Sequence, residues 1–286
     1  MTIKNRFGVA NIDPLKIDSI LRECADTCIM PYFKNLQDHE VDTKTGPNDL
    51  VTIADKKSEA FLSHALTLLY PSSVLIGEEG VSAKTQTTDI LKDKNAFIWV
   101  ADPVDGTWNF RRGKDEFCVM LACVHGGEVV GGWIYDIVGG RMMTAEKGGG
   151  AFMNGAKLSV AAPKTLNEST GYAGRKYFPV PMREHIVNFK TSVKSLHTLN
   201  CAGHEYLHLA SGDTDFAIYS RIRPWDHLAG TLAVKEAGGH VMKWDNTPYT
   251  PGDEFGGLVV ASQADLMLTL QQTVVNKMVA AFKKDL

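Results

Sequence analysis

The chain has 286 residues, 44% of them hydrophobic, and a formal net charge of -3 from interspersed acidic and basic side chains. Without a long Lys/Arg run this charge argues against nonspecific nucleic-acid binding, and no apolar run is long enough to span a bilayer. The first residues lack the apolar core of a secretory signal, and five cysteines, an odd number, favour reduced thiols. We therefore expect a cytoplasmic protein without membrane contact.

The first half of the chain predicts two helices followed by glycine-punctuated strands. Helical spacing covers residues 15–33 and 54–69. Apolar runs predict strands at residues 96–101, 117–124, 129–138 and 141–145. The glycines at 148–150 lack the Lys-Ser/Thr of a P-loop, so we expect a turn there. Cys24 and Cys28 fall on the apolar stripe of the first helix, which favours burial over metal binding.

The second half alternates helices and strands, the pattern of an α/β protein. The predicted helices cover residues 203–210, the segment after Asp226 and residues 264–283, and the predicted strands cover 216–219 and 258–261. We accordingly predict an α+β lobe over residues 1–155 and an α/β lobe over residues 156–286.

One segment matches the H-E-x-x-H pattern of zinc proteases. His204 and His208 would share one face of a helix, with Glu205 as general base. No clear third ligand is visible, and five residues with three fixed positions are easily matched by chance. We therefore favour an ordinary helix surface at this position.

The segment around Asp102 and Asp105 is the strongest functional motif. The two carboxylates follow the apolar run 96–101, so we expect both to emerge at the end of a buried strand. Pro103 favours an extended backbone before it, which can aim both side chains at one point. Carboxylate and carbonyl oxygens suit a hard divalent cation, and Gly106 lets the backbone approach a ligand closely. The motif therefore predicts a metal and phosphate site.

Two further acidic elements accompany this motif. Glu78 and Glu79 lie in a glycine-bounded turn after a short apolar run. Asp226 lies where a helix begins, and by itself it reads most simply as the helix N-cap. Glu79 and Asp55 fit solvated or capping acids as well as acids that support the site.

These elements, in this order along nearly the whole chain, resemble the inositol monophosphatase family of magnesium-dependent phosphomonoesterases, which includes bacterial extragenic suppressor proteins. The resemblance rests on the segments 44–55, 77–79, 102–110, 225–226 and 236–239. It implies an α/β layered αβαβα sandwich of the sugar-phosphatase type, with the metal site between two lobes. It also implies two or three Mg²⁺ ions per site, a homodimer and inhibition by lithium.

The resemblance assigns roles residue by residue. The metal ligands it implies are Glu78, Asp102, the Val104 carbonyl, Asp105 and Asp226. The catalytic residues it implies are Glu78, Thr107 and Asp49, the last as the hydrogen-bonding partner of Thr107. The substrate-binding residues it implies are Asp105, Gly106, Thr107, Ala202, Tyr219 and Asp226.

Elementary electrostatics explains why such a site needs metal. Converging carboxylates repel one another and an anionic substrate, whereas bound cations reverse the sign of the field and acidify water. Because phosphoryl transfer depends mainly on positioning and charge neutralisation, no protein nucleophile is required. Our hypothesis is direct attack by a metal-activated water that Glu78 and Thr107 orient.

The substrate remains open at this point. Inositol-specific relatives carry a glutamate where this chain has Tyr219, and Arg221 and Arg223 lie nearby. The arginines fit recognition of a second anionic group, or surface and subunit contacts. Inositol monophosphate, histidinol phosphate, a sugar bisphosphate and a nucleoside bisphosphate all remain candidates. A suppressor-type role through RNA or transcription-machinery partners is the alternative.

Overall fold

The computed structural model of the protein describes residues 12–43 and 50–284. Its α-helices are α1 (Pro14–Cys24), α2 (Ile53–Leu69), α3 (Glu78–Ser82), α4 (Thr107–Arg111), α5 (Val180–Phe189), α6 (Ala202–Ala210), α7 (Pro224–Glu236), α8 (Ala264–Leu270) and α9 (Asn276–Lys284). Its strands are β1 (Val41–Thr43), β2 (Leu50–Thr52), β3 (Ser73–Gly77), β4 (Phe97–Asp105), β5 (Cys118–His125), β6 (Glu128–Asp136), β7 (Arg141–Glu146), β8 (Gly150–Met153), β9 (Ala156–Lys157), β10 (Thr170–Tyr172), β11 (Ser195–His197), β12 (Phe216–Tyr219), β13 (His240–Lys243) and β14 (Leu258–Ala261). No helix in this part of the chain is long and apolar enough to cross a bilayer.

Two sheets organise the chain. The first runs in the order β3-β4-β5-β6-β7-β8-β9, with β3 parallel to β4 and the other neighbours antiparallel. The second runs in the order β11-β10-β12-β14-β13, with β10 parallel to both of its neighbours and β14 antiparallel to both of its own. A short β1-β2 ribbon precedes α2.

The helices fill three layers around these sheets. One apolar core joins α1 and α2 to the first sheet, and a second joins α6 and α7 to both sheets. A third core joins α5, α8 and α9 to the far face of the second sheet. The resulting helix–sheet–helix–sheet–helix order confirms the predicted α/β layered αβαβα sandwich.

The middle layer depends on close backbone approach. A Cβ atom on Gly230 of α7 would lie 2.1 Å from the Tyr206 ring of α6, so only glycine lets the two helices pack at this distance. The same α7 rests on the first sheet at Gly132, where an added Cβ would lie 3.0 Å from the Ala229 carbonyl oxygen. Since α7 carries Asp226, this packing sets the position of that carboxylate.

Several predicted elements differ in detail. The strand predicted to end at Ala101 continues as β4 through Asp105, with irregular pairing between Asp102 and Asp105. Glu78 begins the short helix α3 instead of lying in a turn. Cys24 and Cys28 are buried as predicted, and all five cysteines are free and buried. The lobe boundary near residue 155 stays a prediction.

Candidate active site

Three carboxylates from different elements converge at one edge of the first sheet. Because β3 and β4 are parallel, their carboxyl ends meet at the same edge, which brings Glu78 after β3 close to Asp102 in β4. Asp226 lies on α7, and one carboxylate oxygen from each of the three side chains lies within 4.8 Å of the other two. The N-cap interpretation of Asp226 is wrong, because α7 begins at Pro224 and its N-cap is Arg223.

Asp105 lies beside this cluster and is held by the start of α6. Its Oδ2 accepts hydrogen bonds from the Gly203 amide at 2.6 Å and from the Cys201 thiol at 3.1 Å. A Cβ atom on Gly203 would lie 2.2 Å from the Cys118 sulfur, so a side chain there would disrupt this contact. Asp105 therefore ties β4 of the first sheet to the middle helix layer.

Gly106 and Thr107 form the turn that leads from β4 into α4. Gly106 has a φ of 88°, in the left-handed region that favours glycine. The Thr107 hydroxyl oxygen lies 3.0 Å from the Val104 carbonyl oxygen and 3.2 Å from Asp55 Oδ1, and can donate to either. Asp49 lies outside the described residues.

Asp55 has a more specific position than a solvated acid. It is 1% exposed, and its Oδ2 accepts hydrogen bonds from the Thr52 amide and hydroxyl at 2.8 and 2.6 Å. These contacts make a capping box at the start of α2, while Oδ1 contacts Thr107. The one carboxylate thus caps a helix and orients a candidate catalytic hydroxyl.

Sequence reasoning missed Glu59, which positions the segment that carries Glu78. The Glu59 carboxylate accepts hydrogen bonds from the amides of Glu79 and Gly80, each at 2.8 Å. It therefore caps the first turn of α3 and fixes its place beside β4. The available signal was the spacing of two acids, Asp55 and Glu59, four residues apart on the buried face of one helix.

Burial and mutual repulsion dominate the electrostatics of the cluster. Burial, followed by the charges of Glu78 and Asp105, holds the pKa of both Asp102 and Asp226 well above the ordinary carboxyl value. Burial also raises the pKa of Asp105, although the Gly203 amide acts in the opposite direction. Without cations these groups therefore favour their protonated forms.

A cavity of about 160 Å³ adjoins the acids between the two sheets. Its lining includes Asp105, Ala202, Tyr219, Arg221 and Asp226. It thus brings together several of the residues expected to bind substrate.

Glu205 also lines the cavity and is 4% exposed. Its Oε1 accepts hydrogen bonds from the Thr198 hydroxyl at 2.7 Å and the Leu199 amide at 2.9 Å. Burial nevertheless raises the pKa of Glu205 to about 7. The Tyr219 hydroxyl lies beside this carboxyl, so the end of the cavity is lined by a phenol and a carboxyl of raised pKa.

The H-E-x-x-H segment forms helix α6, but the expected surface position is wrong for His204 and Glu205, which are both buried. His204 Nε2 lies 3.3 Å from the Phe117 carbonyl oxygen, whereas His208 Nδ1 lies 2.7 Å from the Tyr172 hydroxyl. Within the described ranges, no group of potential metal ligands contains both histidines. The segment therefore has no zinc-protease arrangement.

Comparison with known proteins defines the class. The chain matches the model of the inositol monophosphatase family over residues 15–278. With its layered fold, this match makes the protein an enzyme of the phosphomonoesterase class. It belongs to the inositol monophosphatase family.

Individual relatives show how far the similarity extends. The fructose-1,6-bisphosphatase/inositol-1-monophosphatase of Thermotoga maritima is 32% identical, and the match covers 70% of this chain and 74% of the relative. The Nus factor SuhB of Xylella fastidiosa is 29% identical over 80% of this chain and 82% of the relative. The solved structure of a Thermotoga maritima IMPase superimposes with a TM-score of 0.80 at 27% identity, covering 94% of this chain and 99% of the other.

Proposed function

We propose that the protein is a magnesium-dependent phosphatase for inositol monophosphate or a similarly small phosphate ester. The convergence of the Glu78, Asp102 and Asp226 carboxylates within 4.8 Å, beside a small cavity, carries this proposal. The homodimer implied by the resemblance and the cytoplasmic location expected from the reduced cysteines belong to the same proposal.

The donor set fits Mg²⁺. This cation prefers oxygen ligands, and the repulsion that raises the carboxyl pKa values is relieved by positive charge. The proposed ligands of two or three ions are Glu78, Asp102, the Val104 carbonyl, Asp105 and Asp226. When bound, the ions supply charge neutralisation for the phosphate ester and acidify water.

The side chains of this protein would position the reactants. By donating its proton to Asp55 Oδ1, the Thr107 hydroxyl keeps its lone pairs for the attacking water. The Glu78 carboxylate accepts a hydrogen bond from the same water, and the amides of Gly106 and Thr107 donate to phosphate oxygens. Asp49 is the further partner of Thr107 that the resemblance implies. Water attacks phosphorus directly as the ester P–O bond breaks. The departing oxygen takes up a proton that the water releases, giving inorganic phosphate and the alcohol without a phospho-enzyme.

The direct experiment measures phosphate release from a panel of phosphate esters, with Mg²⁺ and with excess chelator. We expect release from at least one ester with Mg²⁺ and none with chelator. The absence of release from every ester by a folded protein that binds Mg²⁺ would contradict the proposal. A covalent phospho-protein trapped during turnover would contradict the direct attack by water.

A second candidate function is binding to RNA or transcription-machinery partners, which is supported by the similarity to the Nus factor SuhB. It requires no turnover at the acidic site. An Asp102→Asn protein without phosphatase activity that still supported growth as the wild type does would favour this role.

A further inference from the structure

Three cations surround the ring of Trp108, the residue that follows Thr107 in α4. The guanidinium carbon of Arg112 lies 3.9 Å from the ring centroid. The ammonium nitrogens of Lys114 and Lys176 each lie 5.5 Å from it. A cluster of positive charge therefore begins next to the turn proposed to hold the phosphate.

The cluster continues along the wall of the cavity. The Lys176 ammonium also lies 4.7 Å from the ring of Tyr177, and the Arg221 guanidinium carbon lies 5.8 Å from the same ring. Tyr177 and Arg221 line the cavity together with Asp105 and Asp226. We call Arg112, Lys114, Lys176 and Arg221 the basic rim.

The basic rim has no carboxylate partner within residues 12–43 and 50–284. None of its four side chains forms an ion pair there, and the nearby Asp115 pairs with Lys34 at 3.5 Å. Partial burial lowers the pKa of Lys176, and no carboxylate among the described residues opposes this effect through an ion pair. An anion bound at the rim would supply a counter-charge.

A contact with the His227 ring fixes the backbone at Arg221. A neutral imidazole such as that of His227 can donate from one nitrogen while accepting at the other. Its Nε2 lies 2.7 Å from the Arg221 carbonyl oxygen, and its Nδ1 lies 2.9 Å from the Tyr206 hydroxyl. These contacts hold the backbone at Arg221 beside the cavity.

We propose that the basic rim binds a second phosphate group of the substrate, so that this enzyme prefers small bisphosphates to the corresponding monophosphates. The inference rests on the proposed function, because the scissile phosphate must lie beside Gly106 and Thr107 for the second group to reach the rim. Lysine and arginine donors bind phosphate through charge-assisted hydrogen bonds. The phenol of Tyr219 adds no negative charge that would oppose this anion.

The kinetic test compares fructose 1,6-bisphosphate with fructose 6-phosphate, and adenosine 3′,5′-bisphosphate with adenosine 5′-monophosphate. We expect Lys176→Met to lower the bisphosphate-to-monophosphate ratio of kcat/KM about tenfold, through KM, and Lys176→Met/Arg221→Met to lower it further. Lys190→Met removes an exposed charge remote from the rim and should leave the ratio unchanged. The pair that responds identifies a sugar or a nucleoside substrate. Equal losses on both members of both pairs would overturn the proposal.

A binding experiment separates this inference from the proposed phosphatase function. Calorimetry with Asp55→Asn protein and Mg²⁺ keeps every proposed metal ligand and slows turnover. It would measure binding of fructose 1,6-bisphosphate and fructose 6-phosphate, and of the two adenosine phosphates. A preference for a bisphosphate that Lys176→Met abolishes supports the rim even if the wild type hydrolyses no ester. Hydrolysis of monophosphates by the wild type, with no rim-dependent preference in either assay, rejects the rim and leaves the phosphatase function standing.

Discussion

Asp55 serves two neighbours with its two carboxylate oxygens, one at the α2 cap and one at Thr107. An amide in Asp55→Asn cannot accept at both positions, and it removes the charge that attracts the Thr107 proton. We expect kcat to fall about a hundredfold, the scale of lost proton-transfer assistance, with about 1 kcal/mol lost from the free energy of unfolding. Steady-state kinetics and urea unfolding would measure the two effects.

Thr52→Ala is the matched control for Asp55→Asn. It removes a hydroxyl from the same capping box but leaves Asp55 Oδ1 beside Thr107. It should lose a similar free energy of unfolding and retain most of kcat. Equal kinetic losses in the two variants would show that Asp55 acts through the helix cap alone.

The raised pKa of Glu205 predicts that the stability of the protein depends on pH. Its pKa is raised from the ordinary 4.5 to about 7, so the folded protein retains a proton that the unfolded chain has already lost. Its stabilising contribution is complete below about pH 4.5 and is lost as the pH rises through about 7. Glu205→Gln keeps an acceptor for Thr198 without titrating. Between about pH 4.5 and about pH 7, the free energy of unfolding of Glu205→Gln should therefore rise by roughly 3 kcal/mol relative to that of the wild type.

The pH experiment is done with chelator, by urea unfolding at several pH values. Glu184→Gln, on the exposed face of α5, controls for the change in net charge. A constant difference between wild type and Glu205→Gln at all pH values would contradict the raised pKa of Glu205.

Sequence reasoning identified candidate site residues that belong to a recognisable local motif. Asp102 and Asp105 share one motif, and Glu78 follows a recognisable strand. Sequence reasoning missed Glu59 because its carboxylate binds the amides of Glu79 and Gly80, which lie 20 and 21 residues away along the chain. These amides come close to Glu59 only after β3 packs beside α2. The roles of the proposed ligands themselves remain predictions.

At the scale of elements, Gly106 sets the entry into α4. An alanine there would adopt a φ of 88°, and its Cβ would lie 2.9 Å from the Glu116 carbonyl oxygen. We expect Gly106→Ala to destabilise the protein by about 1–2 kcal/mol and to move Thr107 enough to abolish most phosphate release.

Gly126→Ala separates backbone strain from displacement of the site. Gly126 also has a positive φ, 66°, but no atom lies within 4 Å of an added Cβ, and the β5-β6 turn is remote from the acids. It should lose a similar free energy of unfolding while keeping its activity. Full activity in Gly106→Ala would show that α4 tolerates displacement.

The helices and strands that were predicted correctly are those with a strong hydrophobic periodicity in the sequence. Strands β12 and β14 were predicted with the bounds that the structure has, and glycine pairs marked the turns of the first sheet. Strands β10 and β11 and helix α5 were missed. The two strands are three residues long, too short for a clear alternation, and they exist because parallel neighbours complete their hydrogen bonds.

At the scale of the whole molecule, the site lies where the two halves of the chain meet. The middle core joins residues of both sheets, and α6 and α7 bring Gly203 and Asp226 to the edge of the first sheet. Sequence patterns could assign strands and helices to each half. They could not give the distances across this layer, because those depend on packing such as that of Gly230 against Tyr206.

The raised pKa values of the clustered acids predict that the stability of the whole molecule depends on cations. With chelator, the raised pKa values of Asp102 and Asp226 mean that stability is lost as the pH rises through them. With Mg²⁺ we expect stability to rise with pH, because deprotonated carboxylates bind the cation more tightly. A Mg²⁺ concentration of about a hundred times Kd adds roughly 2.7 kcal/mol to the free energy of unfolding. Thermal unfolding between about pH 5 and about pH 8 should therefore give Tm curves, with chelator and with Mg²⁺, that diverge as the pH rises. In chelator at the upper pH, Asp102→Asn should have a higher Tm than the wild type, and its two Tm curves should diverge less. Parallel wild-type curves would show that the Glu78, Asp102 and Asp226 cluster binds no cation.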